Sequence, residues 1–159
     1  MEVTVVNQVG LAFEDAYRSM YGVVFRASMV VSGDRASAEE AAQEAFARAL
    51  ERGEQLAREP WVQGWLITTA MNVAKRGRRR RSWSTRAQNE PDVDTKADIW
   101  QGMRQLSTRQ QQCVVLHYFA DLPLNEIAQA LNVSEGTVKF HLSRARRALE
   151  RTLGVEYET

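Results

Sequence analysis

The chain has 159 residues, 44% of them apolar and 26% charged, enough for one ordinary domain or two small helical ones with modest cores. No stretch approaches the ~18 uninterrupted apolar residues of a membrane span, the start MEVTVVNQVG lacks a secretory signal pattern, and the lone Cys113 cannot form an internal disulfide, so the reading is a cytoplasmic protein without a membrane partner. A net charge of +1 conceals segregation: residues 1–74 carry 6 Lys/Arg against 10 Asp/Glu, whereas residues 75–86 carry 7 against none. A polyanion on one side and a basic partner on the other suit that map.

Apolar residues recur at helical spacing throughout and no segment reads as a strand, so the expected fold is all-α. Leu11 to about Val31 gives a first helix with Phe13, Tyr17, Met20 and Val24 on one stripe, closed by Ser32-Gly33-Asp34. A second helix opens on a capping box, Ser37 with Glu40, and runs to about Arg52. It turns Ala38, Ala42, Ala45, Phe46 and Ala49 inward and Glu39, Glu40, Gln43 and Glu44 outward. Pro60 suits the first turn of a third helix, which passes Trp61, Trp65 and Asn72 and enters the basic run Lys75 to Arg81. Residues 82–95, SWSTRAQNEPDVDT, are polar and aperiodic, as a flexible linker between domains 11–81 and 96–153 would be.

Beyond the linker a helix spans about Lys96 to Leu106. Ser107 and Gln110 form another capping box before an apolar helix with Val114, Val115, Leu116 and Phe119. Two helices close the chain, about Pro123–Leu131 and Glu135–Leu153, with Ser134 as N-cap of the last. Ile127, Ala128 and Leu131, a turn at Val133, and the stripe Val138, Leu142, Ala145 and Leu149 make a helix-turn-helix. At 100° per residue the opposite face carries Gly136, Phe140, Ser143, Arg144 and Arg147, flanked by Lys139 and Arg146 on one side and Thr137 and His141 on the other. Such a face suits a DNA major groove, where cations meet phosphates or guanine edges and an aromatic can meet a thymine methyl. Aromatics at Trp61 and Trp65 before a cationic track suit single-stranded nucleic acid, with core packing as the competing role for Trp65. No catalytic, phosphate-cradling or metal-ligating constellation is apparent, so no enzyme activity, cofactor or small-molecule substrate is expected; Cys113 and His117 lack a second pair of ligands.

Taken together, these motifs resemble the extracytoplasmic-function sigma factors of bacterial RNA polymerase across about residues 11–153. ASAEEAAQEAFARAL resembles region 2.2, and the resemblance implies that Glu39, Glu40, Gln43 and Glu44 dock on the clamp of the polymerase's largest subunit. VQGWLITTAMNVAKRGRRR resembles regions 2.3 and 2.4, which implies minus-10 binding and strand opening by Trp65, Asn72, Lys75, Arg76 and Arg78, with a base flipped into a pocket by the loop 52–60. LSTRQQQCVVLHYFADLPLNEIAQALNVSEGTVKFHLSRARRAL resembles region 4, which implies minus-35 recognition by Lys139, Phe140, His141, Ser143, Arg144 and Arg147. Core polymerase and promoter DNA, double-stranded and melted, are then the partners, and an anti-sigma factor is left open as a third. Phe140 and His141 stand where Ser and Arg are common in the family, so promoter preference does not carry over. Residues 106–142 also resemble the C-terminal helix-turn-helix of free-standing regulators, a reading that needs an effector domain with alternating strands within residues 1–95.

Overall fold

The computed structural model describes residues 2–84 and 97–154, and every regular element among them is helical. In chain order these are α1 (Glu2–Ser32), α2 (Arg35–Arg52), α3 (Glu54–Arg58), α4 (Val62–Ser84), α5 (Ala97–Gln105), α6 (Thr108–Val114), a π-turn (Val115–Phe119), α7 (Leu124–Leu131) and α8 (Glu135–Leu153). The expected linker lies largely outside the described residues, but α4 runs three residues into it.

The first half is a bundle of α1, α2 and α4. Buried Ala38, Ala41, Ala42, Ala45 and Ala49 line one side of α2, and their short side chains let its backbone pack closely on α1 and α4. Phe46 supplies the bulk at the open end, edge-on to Tyr17 with ring centroids 4.8 Å apart. The start of α2 corrects the sequence reading: the N-cap is Asp34, whose carboxylate accepts from the Ser37 amide at 2.8 Å. Gly33, at φ 77°, swings the chain so that Asp34 is extended, and a carboxylate suits the positive end of a helix better than a hydroxyl does.

In the second half the capping box at Ser107 and Gln110 is present, and the Ser134 hydroxyl caps α8 by accepting from the Thr137 amide at 3.1 Å. The helix-turn-helix turn runs through Asn132 in the left-handed region (φ 55°), a position that usually selects glycine and that Asn tolerates best among the others. Ile127, Leu131, Val138, Leu142 and Ala145 are buried between α7 and α8. Residues 108–119 depart from one apolar helix. The Ala120 amide donates to the Val115 carbonyl, five residues back, and the extra residue in that turn rotates its last side chains outward. Leu116 is therefore buried, while Tyr118 and Phe119 stand 54% and 46% exposed.

The two halves share one continuous apolar core, and α4 meets α7 at Gly64. A Cβ there would lie 2.8 Å from the Ala130 Cβ, so the approach requires glycine.

Candidate nucleic-acid interface

The reading face of α8 is exposed and already assembled. Its buried stripe fixes the helix rotation, which turns Lys139, Phe140, Ser143, Arg144 and Arg147 outward together. Phe140 is 53% exposed, and the Arg144 guanidinium lies over its ring, 4.7 Å from the centroid. His141 sits half-buried at the rim, its ring 5.7 Å from that of Phe140. A cation over an aromatic in an otherwise cationic patch leaves both groups with unsatisfied demand, one for an anion and one for an apolar contact. One member of this surface was not legible in the sequence. Tyr118, turned outward by the π-turn, accepts a hydrogen bond from Arg146 Nε at 2.8 Å and so holds that guanidinium beside the reading face.

The basic helix α4 is arranged differently, because its candidate residues do not share one face. Trp65 is half-buried against the core with the Arg52 guanidinium 5.3 Å over its ring, so it both packs and offers an edge. Asn72 is exposed as a residue, yet its Oδ1 accepts from Gln112 Nε2 of α6 at 3.0 Å. Lys75 Nζ donates to the Thr108 hydroxyl, and Arg78 donates to the Val31 carbonyl at the end of α1, at 3.1 Å. Lys75, Arg78, Arg79 and Arg104 line a recess of about 270 Å3 between the halves. Arg76 points the other way, into a groove of about 420 Å3 against α2. Gln112 and Thr108 were not signalled by the sequence, since they reach α4 only through tertiary packing.

That groove brings the acidic and basic elements together: Glu40 and Glu44 of α2 face Arg76 and Arg80 of α4 across it. Glu40 and Gln43 are exposed, Glu39 pairs with Arg35 at 3.0 Å, and Glu44 pairs with Arg48 at 2.9 Å. Exposed pairs one helical turn apart hold little energy, so both carboxylates stay available to another cation. Beside α3 an apolar recess lined by Phe13, Phe46, Leu50, Val62 and Leu66 has about 50 Å3, room for a few water molecules rather than a base.

Among the described residues, no group of three or more His, Cys, Asp or Glu is placed to hold a metal, and no helix is long and apolar enough to cross a membrane. Burial pushes the Cys113 thiol up to about 11 against the opposing effect of Arg109, so it stays protonated near neutrality. The effector domain with alternating strands that a free-standing regulator would need has no counterpart in the described part of residues 1–95, which is helical.

Known proteins place these features in order. Residues 13–84 match the sigma-70 region 2 family and residues 96–149 the sigma-70 region 4 family. The chain is similar to the ECF RNA polymerase sigma factor SigL of Mycobacterium tuberculosis, 31% identical over 86% of each chain. It is 29% identical to BldN of Streptomyces coelicolor, another ECF sigma factor, over 96% of this chain and 65% of that one. Its fold matches that of the sigma factor RpoE solved in complex with the anti-sigma factor NepR from Bartonella quintana, with a TM-score of 0.70 at 20% identity over 91% of this chain and 98% of the other. A region 2 bundle followed by a region 4 helix-turn-helix, over most of the length of such relatives, makes this chain a member of the extracytoplasmic-function sigma-70 subfamily, the subunits that bind core RNA polymerase and direct promoter recognition and transcription initiation.

Proposed function

We propose that the two halves divide promoter reading between α8 and α4, with α2 as the polymerase contact. In this reading the body of residues 96–153 lays α8 in the minus-35 major groove. Lys139, Phe140 and Ser143, nearer the helix N-terminus, meet base edges; Arg144 and Arg147 hold phosphates and His141 lines the rim. The body of residues 11–81 engages the minus-10 element, where Trp65 and Asn72 meet unpaired bases while Lys75, Arg76 and Arg78 follow the backbone. Glu39, Glu40, Gln43 and Glu44 face a basic surface of the clamp, where charge complementarity acts mainly on association rate. The protein acts in the cytoplasm and performs no chemistry of its own, as sigma factors in general are not enzymes. An anti-sigma factor is a further partner, by analogy with the relative solved in such a complex.

The observation that carries this reading is Phe140, a large apolar ring more than half exposed in the middle of a cationic face whose opposite stripe is buried. Reconstitution with core polymerase and selection of minus-35 sequences from a randomised pool tests it. Phe140→Ser is expected to change preference at one or two adjacent base pairs, each worth about 1–3 kcal/mol. An unchanged selected sequence removes Phe140 from the readout.

A further inference from the structure

Tyr118 and Arg146 belong to different elements, the π-turn and α8, and meet at the surface. At 100° per residue Phe119 would stand over Val115 and Leu116, on the buried side of a straight helix. The wide turn instead leaves Tyr118 and Phe119 outside, 54% and 46% exposed. The Tyr118 ring is braced by the imidazole of half-buried His117, at 79° to it with centroids 4.7 Å apart. In that position its oxygen accepts the Arg146 Nε hydrogen at 2.8 Å.

Two features set Arg146 apart from an ordinary solvated arginine. Its angular position is the first: seven residues after Lys139, it lies within about 20° of that residue around α8 and about 10 Å farther from the helix N-terminus. It is exposed and continues the flank of the reading face toward the place where the DNA backbone passes a helix that enters the major groove by its N-terminal residues. The second is its donor count. A guanidinium has five N–H groups and only Nε is committed to Tyr118, so the fork of its two Nη atoms is left for an anion. Among the described residues no carboxylate pairs with it. The Tyr118 oxygen, because it accepts, keeps its own O–H hydrogen for the same anion. An exposed hydrogen bond of this kind stabilises a fold little, yet it confines a long side chain that would otherwise sample many rotamers. Such confinement has a use when the guanidinium must meet a ligand in one orientation.

We propose that Tyr118 and Arg146 form a clamp for one phosphate of the DNA backbone at the edge of the minus-35 element, with Tyr118 the residue that positions Arg146. The inference rests on α8 as the minus-35 reader and adds to that reading a contact from outside the helix-turn-helix. DNA phosphate is favoured over an acidic protein surface because Arg146 shares its flank with Lys139 and Ser143, and phosphate oxygens accept both the Nη fork and the O–H.

Holoenzymes reconstituted from full-length variants and core polymerase test it on the tightest duplex that wild type selects from a randomised minus-35 pool. Tyr118→Phe keeps the ring and removes only the hydroxyl. It is expected to weaken binding to that duplex about threefold or more, with the selected sequence, the urea midpoint and the affinity for core polymerase unchanged. Arg146→Ala is expected to lower the slope of log affinity against log salt by about one unit. The double variant is expected to bind within about twofold of Arg146→Ala, since most of the hydroxyl's effect passes through the guanidinium. Wild-type affinity in Tyr118→Phe overturns the clamp, and so do losses that multiply in the double variant. A fall in the urea midpoint that accounts for the loss makes the hydroxyl part of the fold, and weaker core binding with undiminished promoter affinity gives the pair to an acidic polymerase surface; either overturns the proposal. The underlying reading has its own arm: if wild-type holoenzyme selects no minus-35 sequence, or selects the same one after Lys139 and Phe140 are replaced by Ala, α8 is not the reader, whatever Tyr118→Phe shows.

Discussion

α8 and α4 are both cationic helices held by a buried apolar stripe, but their outward faces have different fates. On α8 the buried stripe accounts for the interior, and Lys139, Phe140, Ser143, Arg144 and Arg147 remain exposed. On α4 the same helix that carries Leu66, Ile67, Ala70 and Ala74 into the first core also presents Gly64, Asn72 and Lys75 to a second body. Charge alone therefore does not identify an open binding surface. What distinguishes the two is whether polar atoms near the charges are partnered from the other half of the molecule, and on α4 they are.

The comparison breaks most completely if the scaffold under α8 is removed. Ile127 is fully buried, so Ile127→Ala should cost about 2–5 kcal/mol in urea unfolding and abolish minus-35 binding, whereas Phe140→Ser on the outer face of the same motif should stay within about 0.5 kcal/mol. Similar losses from both would mean that Phe140 is part of the packing. A smaller effect sharpens the contrast within α8. Arg147→Ala should weaken binding to all sequences alike and lower the slope of log affinity against log salt by about one unit, leaving the selected minus-35 sequence unchanged.

The smallest expected effect concerns Cys113, whose thiol sits at about 11 in the folded chain and near 8.5 when unfolded. Below about pH 8.5 both states hold the proton and stability is unaffected. As pH rises from there toward about 11 the unfolded thiol ionises while the buried one does not, so this contribution is lost. The stability gap between wild type and Cys113→Ala, measured by urea midpoint, should therefore narrow from pH 7 to pH 10. A constant gap would mean that the thiol ionises equally in both states.

Much of this was legible because helices write themselves at a fixed period. The stripe Val138, Leu142, Ala145 set the outer face of α8 by spacing alone, and Ser107 and Ser134 marked their helix starts by side-chain chemistry. Failures occurred where local signals are degenerate or absent. Asp34 and Ser37 are both good caps three residues apart, and the choice between them was made by the positive φ of Gly33. The five-residue α3 is too short to show a period. The π-turn leaves no compositional trace, so Phe119 read as one more residue of a single apolar helix, whereas it stands 46% exposed. Gln112 is the third of three consecutive glutamines in α6, and nothing local singles it out; only the fold reveals that it meets Asn72 forty positions away.

The Gly64 contact also governs which changes the chain can accept away from either cationic face. A single added methyl group at position 64 would meet the Ala130 Cβ at 2.8 Å, so α4 and α7 would have to move apart, and the hydrogen bonds that Asn72 and Lys75 make to the second half would stretch with them. Neither helix would lose a residue of its own buried stripe. The seating of one half on the other is in that sense set by the absence of one side chain.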